Sequence, residues 1–354
     1  MRIRSGASSV FRSIWRCGLE FWLGLLMTVL AAFANGNFTL PMKGARKWRW
    51  ENFWALYSLV AFCLVPGFLA LLTIPDLIKV YSSVPGWQIA KPMLFGAGWG
   101  VSQVLLGISV ARVGMALTFA IVIGLSAVLG TLIPLVSRES GTLLSVKGAL
   151  VIGGMGIMLA GIYLCAKAGR RREGVLAAKP SRAPVGGYRK AVAVTVAAGI
   201  LTPMLNYALA FGGPIVKRAV EQGASPGNAT YAVWVVTLLG GLPINLGYAV
   251  YLLNRNRTWA AFSARTYDWA AAVLMGILWM GSIALYGVAT THLGPSGAAI
   301  GWGLFSIFVI LAANLSGLVT GEWRGVGAGP LGNLATGLGL LTVASAVLAM
   351  GNHC

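Results

Sequence analysis

Charged side chains and histidines are absent from ten stretches of this chain: 21–42, 52–75, 92–111, 113–137, 148–166, 191–216, 222–254, 269–291, 293–321 and 325–352. Each is roughly 19 to 33 residues long, and about 20 apolar residues rising 1.5 Å each cross a hydrocarbon core about 30 Å thick. The windows are apolar on every face, without the strict alternation of a barrel strand. The pattern therefore predicts an all-α membrane protein with ten transmembrane helices.

Composition agrees. Over 354 residues the mean hydropathy is +0.79, with 57% hydrophobic and 10% charged residues, far from the roughly 25% charged residues of a soluble domain. The net charge of +19 would point to nucleic acid in a soluble protein. Here the cations lie between spans, where lipid headgroups and the positive-inside rule account for them, so the partner expected is the lipid bilayer and not nucleic acid. Cys17, Cys63, Cys165 and Cys354 lack CxxC spacing, and His292 and His353 are far apart in sequence, so neither a metal site nor a cofactor is expected.

Four arginines precede a first apolar run containing Ala32-Phe33-Ala34, a pattern that fits signal-peptide cleavage. The run continues to Met42, long enough to span, which favours a retained first helix. Residues 1–18 then form a basic tail.

The longest polar stretch, 169–189, reads as a linker between a five-span unit at 19–168 and another at 190–354. At an offset of 180 residues, Leu94, Gly96, Trp99, Ser102, Leu105, Gly107 and Gly114 match Leu274, Gly276, Trp279, Ser282, Leu285, Gly287 and Gly294. Units with an odd number of spans insert in opposite senses, so the expected architecture is two inverted five-helix repeats, the geometry that alternating access requires. Lys and Arg counts favour a cytoplasmic 41–50 loop, although the basic tail argues the other way.

Polar side chains within hydrocarbon are costly and mark a cavity or a helix contact. Asn35 and Asn37 lie in the first span, Trp99 and Gln103 in the third, Asn206 and Tyr207 in the sixth, Trp279, Ser282 and Tyr286 in the eighth, and Trp302 in the ninth. Amides offer paired donors and acceptors, and aromatic rings stack on apolar sugar faces, so this set suits a small neutral polyol or sugar. The same groups serve equally as interhelical glue worth about 0.6 kcal/mol each. Glu51, beside Trp50, and His292 are the candidates for proton coupling; Arg112 and His292 also fit tight turns. The prolines Pro66, Pro134, Pro203 and Pro243 are candidate hinges.

The segments Pro41-Met42-Lys43, Lys47-Trp48-Arg49-Trp50-Glu51-Asn52, Leu94-Phe95-Gly96-Ala97-Gly98-Trp99-Gly100 and Gly130-Thr131-Leu132-Ile133-Pro134 resemble the L-rhamnose-proton symporter family of the drug/metabolite transporter superfamily. The resemblance runs from about residue 19 to the end and is strongest in the first four spans. It implies two inverted five-helix halves in the bacterial inner membrane, a central solute pathway, and uptake of a deoxysugar driven by protons. An exporter or facilitator of another metabolite on the same fold is the alternative. An intramembrane enzyme is a distant third, because no nucleophile or metal constellation is visible.

Overall fold

The computed structural model describes residues 4–138, 141, 144–176, 185–264 and 267–352, with side chains for 18–137, 141, 144–175, 188–264 and 267–351. Part of the expected linker, His353, Cys354 and the side chains of the basic tail lie outside the described residues. Ten helical stretches are long and apolar enough to cross a membrane: Gly18–Gly44, Trp50–Thr73, Gly86–Val113, Met115–Ser137, Val146–Val175, Tyr188–Glu221, Thr230–Asn256, Tyr267–His292, Gly297–Val319 and Ala328–Gly351. A helix satisfies its backbone groups internally, as hydrocarbon demands. Leu26, Leu30, Phe68, Leu71 and Ile277 remain exposed on the outer surface, as lipid-facing residues do. The chain is an all-α, multi-pass integral membrane protein.

Three of the described spans are interrupted: the first passes from an α-helix ending at Asn37 into a 3-10 helix at Leu40–Gly44, and the second and sixth break within their length. In the second, a π-turn at Val60–Leu64, with the Val65 N–H donating to the Val60 carbonyl, immediately precedes Pro66. A proline removes an amide donor, and a π-turn is one way the ladder re-pairs around the loss. The sixth span is segmented into Val185–Leu201, Met204–Phe211 and Gly213–Glu221. Its first break falls at Thr202-Pro203. Pro134 and Pro243, in contrast, sit inside unbroken helices.

Packing runs mainly between the halves. The first span contacts the eighth and ninth, the second the seventh and eighth, the third the sixth and seventh, the fourth the sixth and ninth, and the fifth the tenth. Advancing every span by five, and counting round from the tenth to the first, returns the same set of pairings. Glycine permits the closest crossing. A Cβ on Gly96 would collide with the Thr237 carbonyl, and one on Gly240 with that of Met93, so the third and seventh spans meet backbone to backbone.

Candidate functional site

The centre of the bundle is a buried column of rings. Trp99 and Trp279 are stacked, centroids 5.2 Å apart and planes 25° apart. Phe62, on the π-turn, sets its edge against both at 5.2 Å. Tyr57 packs on Phe62, Trp54 on Tyr57 and Trp50 on Trp54, so aromatic faces continue to the end of the second span. Edge-to-face and offset-stacked geometries are those the ring quadrupoles favour. Asn245 anchors the column, accepting from the Trp54 indole at 3.2 Å and donating to the Gly241 carbonyl at 3.1 Å.

A polar node adjoins these rings. The Asn206 amide donates to the carbonyls of Gly130 and Ala298, at 3.0 and 2.8 Å, and accepts from the Tyr286 hydroxyl at 2.9 Å. Tyr207 donates to the Leu129 carbonyl at 3.0 Å, and the Trp302 indole to Ser126 at 3.2 Å. The break at Pro203 starts a new helical segment, which turns Asn206 and Tyr207 toward the fourth span. In this conformation Asn206, Tyr207, Tyr286 and Trp302 hold helices together.

Other candidate side chains are uncommitted. Ser282 Oγ and Asn37 Oδ1 are buried and meet no hydrogen-bond partner; the Asn37 amide donates to the Phe33 carbonyl at 2.8 Å. The matching serine differs: Ser102 Oγ pairs with Thr202 Oγ1 at 2.6 Å. Asn35 and Gln103 are half-buried, with no side-chain hydrogen bond to another described residue.

The two proton-coupling candidates lie at opposite ends and form no common site. Glu51 is buried, its carboxylate accepting from Asn256 Nδ2 and Thr258 Oγ1 at 3.0 Å each. Its partners are thus neutral, not the Arg49 or Lys47 that proximity in sequence offers. His292 pairs with Glu20. At the Glu51 end, Glu322 pairs with Lys43 and with Arg172, the latter at 3.0 Å. The hydrogen-bonded Lys43 ammonium holds the Glu322 carboxyl below its ordinary value; partial burial opposes this, and Arg172 adds to the lowering.

Sequence reasoning missed Asp268. Fully buried at the start of the eighth span, it accepts the backbone N–H groups of Arg46, Lys47 and Trp48 at 2.8, 2.8 and 3.1 Å. It thereby fixes the loop whose Trp48 enters the central cluster. The available signal was scarcity: with eight acidic residues in 354, one at a span boundary merits a role.

The model of the family described as L-rhamnose-proton symport protein (RhaT) matches residues 20–354. The chain belongs to this family. Symport is carriage across a membrane, so the L-rhamnose-proton symport proteins are transporters and not enzymes. An L-rhamnose-proton symporter of Cronobacter sakazakii is 26% identical over 338 residues, covering 93% of this chain and 97% of the relative. Symporters of Citrobacter koseri and Escherichia coli are each 25% identical, with the same coverage. Ten spans and bacterial relatives of nearly equal extent place the chain in the inner membrane.

Proposed function

We propose that this protein is a secondary active transporter that carries a small neutral sugar of the L-rhamnose type, together with a proton, by alternating access. The observation that carries this reading is the family match across almost the whole length. The unit 19–168 and the unit 190–354, joined by the 169–189 linker, would be two inverted repeats. What supports the repeat is the set of main contacts between the two units described above, which recurs when each span is replaced by the one five later, together with the stacking of the matched Trp99 and Trp279.

In this reading the rings close the pathway, and Trp99, Trp279, Tyr286 and Trp302 offer faces to a sugar once the halves part. Asn35, Asn37, Gln103 and Ser282 supply donors and acceptors not already spent within the protein, while Asn206 and Tyr207 join them only if their helix contacts open. Glu51 is the favoured proton carrier. Its carboxylate contacts are to a neutral amide and a hydroxyl, and they tie the second span to the end of the seventh and the loop after it. His292, paired with Glu20 at the other end, is the second candidate for proton coupling.

Counterflow of labelled L-rhamnose in proteoliposomes, with and without an imposed pH gradient, tests the assignment. Uptake accelerated by an inward proton gradient is expected. Absence of movement of any neutral sugar would overturn it.

A further inference from the structure

A groove of about 460 Å³ runs along the outer face between the fourth and fifth spans, away from the aromatic column. Its walls are Leu117, Ala120 and Ile121 of the fourth span and Leu159, Ile162 and Tyr163 of the fifth; its mouth carries Lys167, Arg170 and Arg171. Residues 163, 167, 170 and 171 fall three or four apart and so share one helix face. We propose that this groove is a binding site for an anionic phospholipid, with an acyl chain along the apolar walls and the phosphate among the three cations.

The charge arrangement favours that occupant. Lys167, Arg170 and Arg171 are exposed and form no ion pair with the described residues. The acids near them are engaged elsewhere. Glu173 accepts the Ala116 N–H at 3.0 Å at the start of the fourth span, and Glu322 is shared by Lys43 and Arg172. Arg172, the last of three consecutive arginines, faces the second half and lies over the Trp323 ring. The run is therefore divided by helical geometry: Arg172 pairs across the halves, while Arg170 and Arg171 join Lys167 in lining the mouth of the groove, the Arg171 guanidinium also reaching toward Gly329 of the tenth span. Like charges a turn apart repel, and a bridging phosphate relieves that repulsion through charge-assisted hydrogen bonds.

The apolar walls separate a lipid from free phosphate. Leu159 and Tyr163 are 43% and 64% exposed, so the groove opens sideways, where hydrocarbon lies. A basic pocket between transmembrane helices at headgroup level is the expected receptor for an anionic headgroup. A zwitterionic lipid would bring its own cation toward the cluster.

The test uses the full chain, purified, delipidated and supplied with phosphatidylglycerol, phosphatidylcholine or inorganic phosphate, with lipid retention read by native mass spectrometry and Tm by scanning fluorimetry. Phosphatidylglycerol is expected to be retained and to raise Tm more than phosphatidylcholine does, with no effect of inorganic phosphate. Lys167→Gln/Arg170→Gln/Arg171→Gln should weaken retention at least about tenfold. The matched triple Lys47→Gln/Arg255→Gln/Arg257→Gln, which removes the same charge elsewhere, should not. Ala120→Trp, which fills the groove and keeps the cations, should also lose the phosphatidylglycerol effect; Leu159→Trp repeats this arm if Ala120→Trp does not fold. Equal response to both lipids, equal loss in both triples, or substitution by inorganic phosphate would each overturn the proposal.

Discussion

The Trp99 indole lies stacked on that of Trp279, planes 25° apart, and the two residues hold matching positions 180 apart in the chain. Each comes from a different five-span unit, so in the alternating-access reading proposed above their contact is one that parting the units would disturb.

Trp99→Ala and Trp279→Ala are each expected to lower stability by about 3–5 kcal/mol, the usual loss for a buried large aromatic. The double variant should fall short of additivity by about 0.5–1.5 kcal/mol, the worth of an aromatic pair. Chemical unfolding of the four proteins measures this. L-Rhamnose counterflow should be lost in all three variants, and retention of full flux would remove these rings from the pathway.

The two matched serines should part company. Ser102→Ala breaks the bond to Thr202 and is expected to cost about 0.5–1.5 kcal/mol. Ser282→Ala removes a hydroxyl that has no protein partner and should leave thermal stability unchanged or slightly raised. If Ser282 contacts the sugar, the same change raises KM for uptake; an unchanged KM would count against that contact.

Asp268→Ala leaves three backbone N–H groups of the 46–48 loop without their carboxylate. The expected destabilisation is on the order of 3 kcal/mol, as for other losses of a buried, charged hydrogen-bond cluster. Protease cleavage near residues 45–49 should increase with it. Normal resistance in the variant would show that other contacts hold the loop.

For Glu322 the sign follows from its lowered pKa. A carboxyl held below its unfolded value of about 4.5 stabilises the fold above that pH, and the contribution disappears as the pH falls through the folded value. Wild type and Glu322→Gln should therefore differ in Tm by a constant amount from neutral pH down to about 5 and converge below about 4.5. A difference that persists in acid would assign the effect to packing and not to charge.

The spans were legible because a charge inside hydrocarbon is costly enough to leave a gap in the sequence. The window at 293–321 becomes a helix at Gly297–Val319, whereas the fifth, 148–166, extends to Val175. Loops without charge escaped the same criterion. The window at 222–254 includes Gln222, Gly223, Ser225, Gly227 and Asn228, which form the turn before the helix at Thr230. Pro203 announced one break in the sixth span, and Gly212-Gly213-Pro214, with the proline in the first turn of the next segment, announced the second; a criterion built on missing charge reads neither. Pairings between distant segments were harder still. Asn206 meets Tyr286 across 80 residues, and Asp268 answers backbone groups, which no side-chain pattern records. Matched tryptophans were visible as a repeat; that they touch is a property of the packed halves.

The turn between the third and fourth spans has little slack. Gly114, at φ 89°, is the one residue between helices ending at Val113 and beginning at Met115, and its counterpart Gly294, at φ 84°, bends the chain after the eighth span. A hinge so short transmits tilt without absorbing it. The third and fourth helices must therefore swing as a couple, so any motion that parts the tryptophans also carries along the wall on which Asn206 and Trp302 are hung.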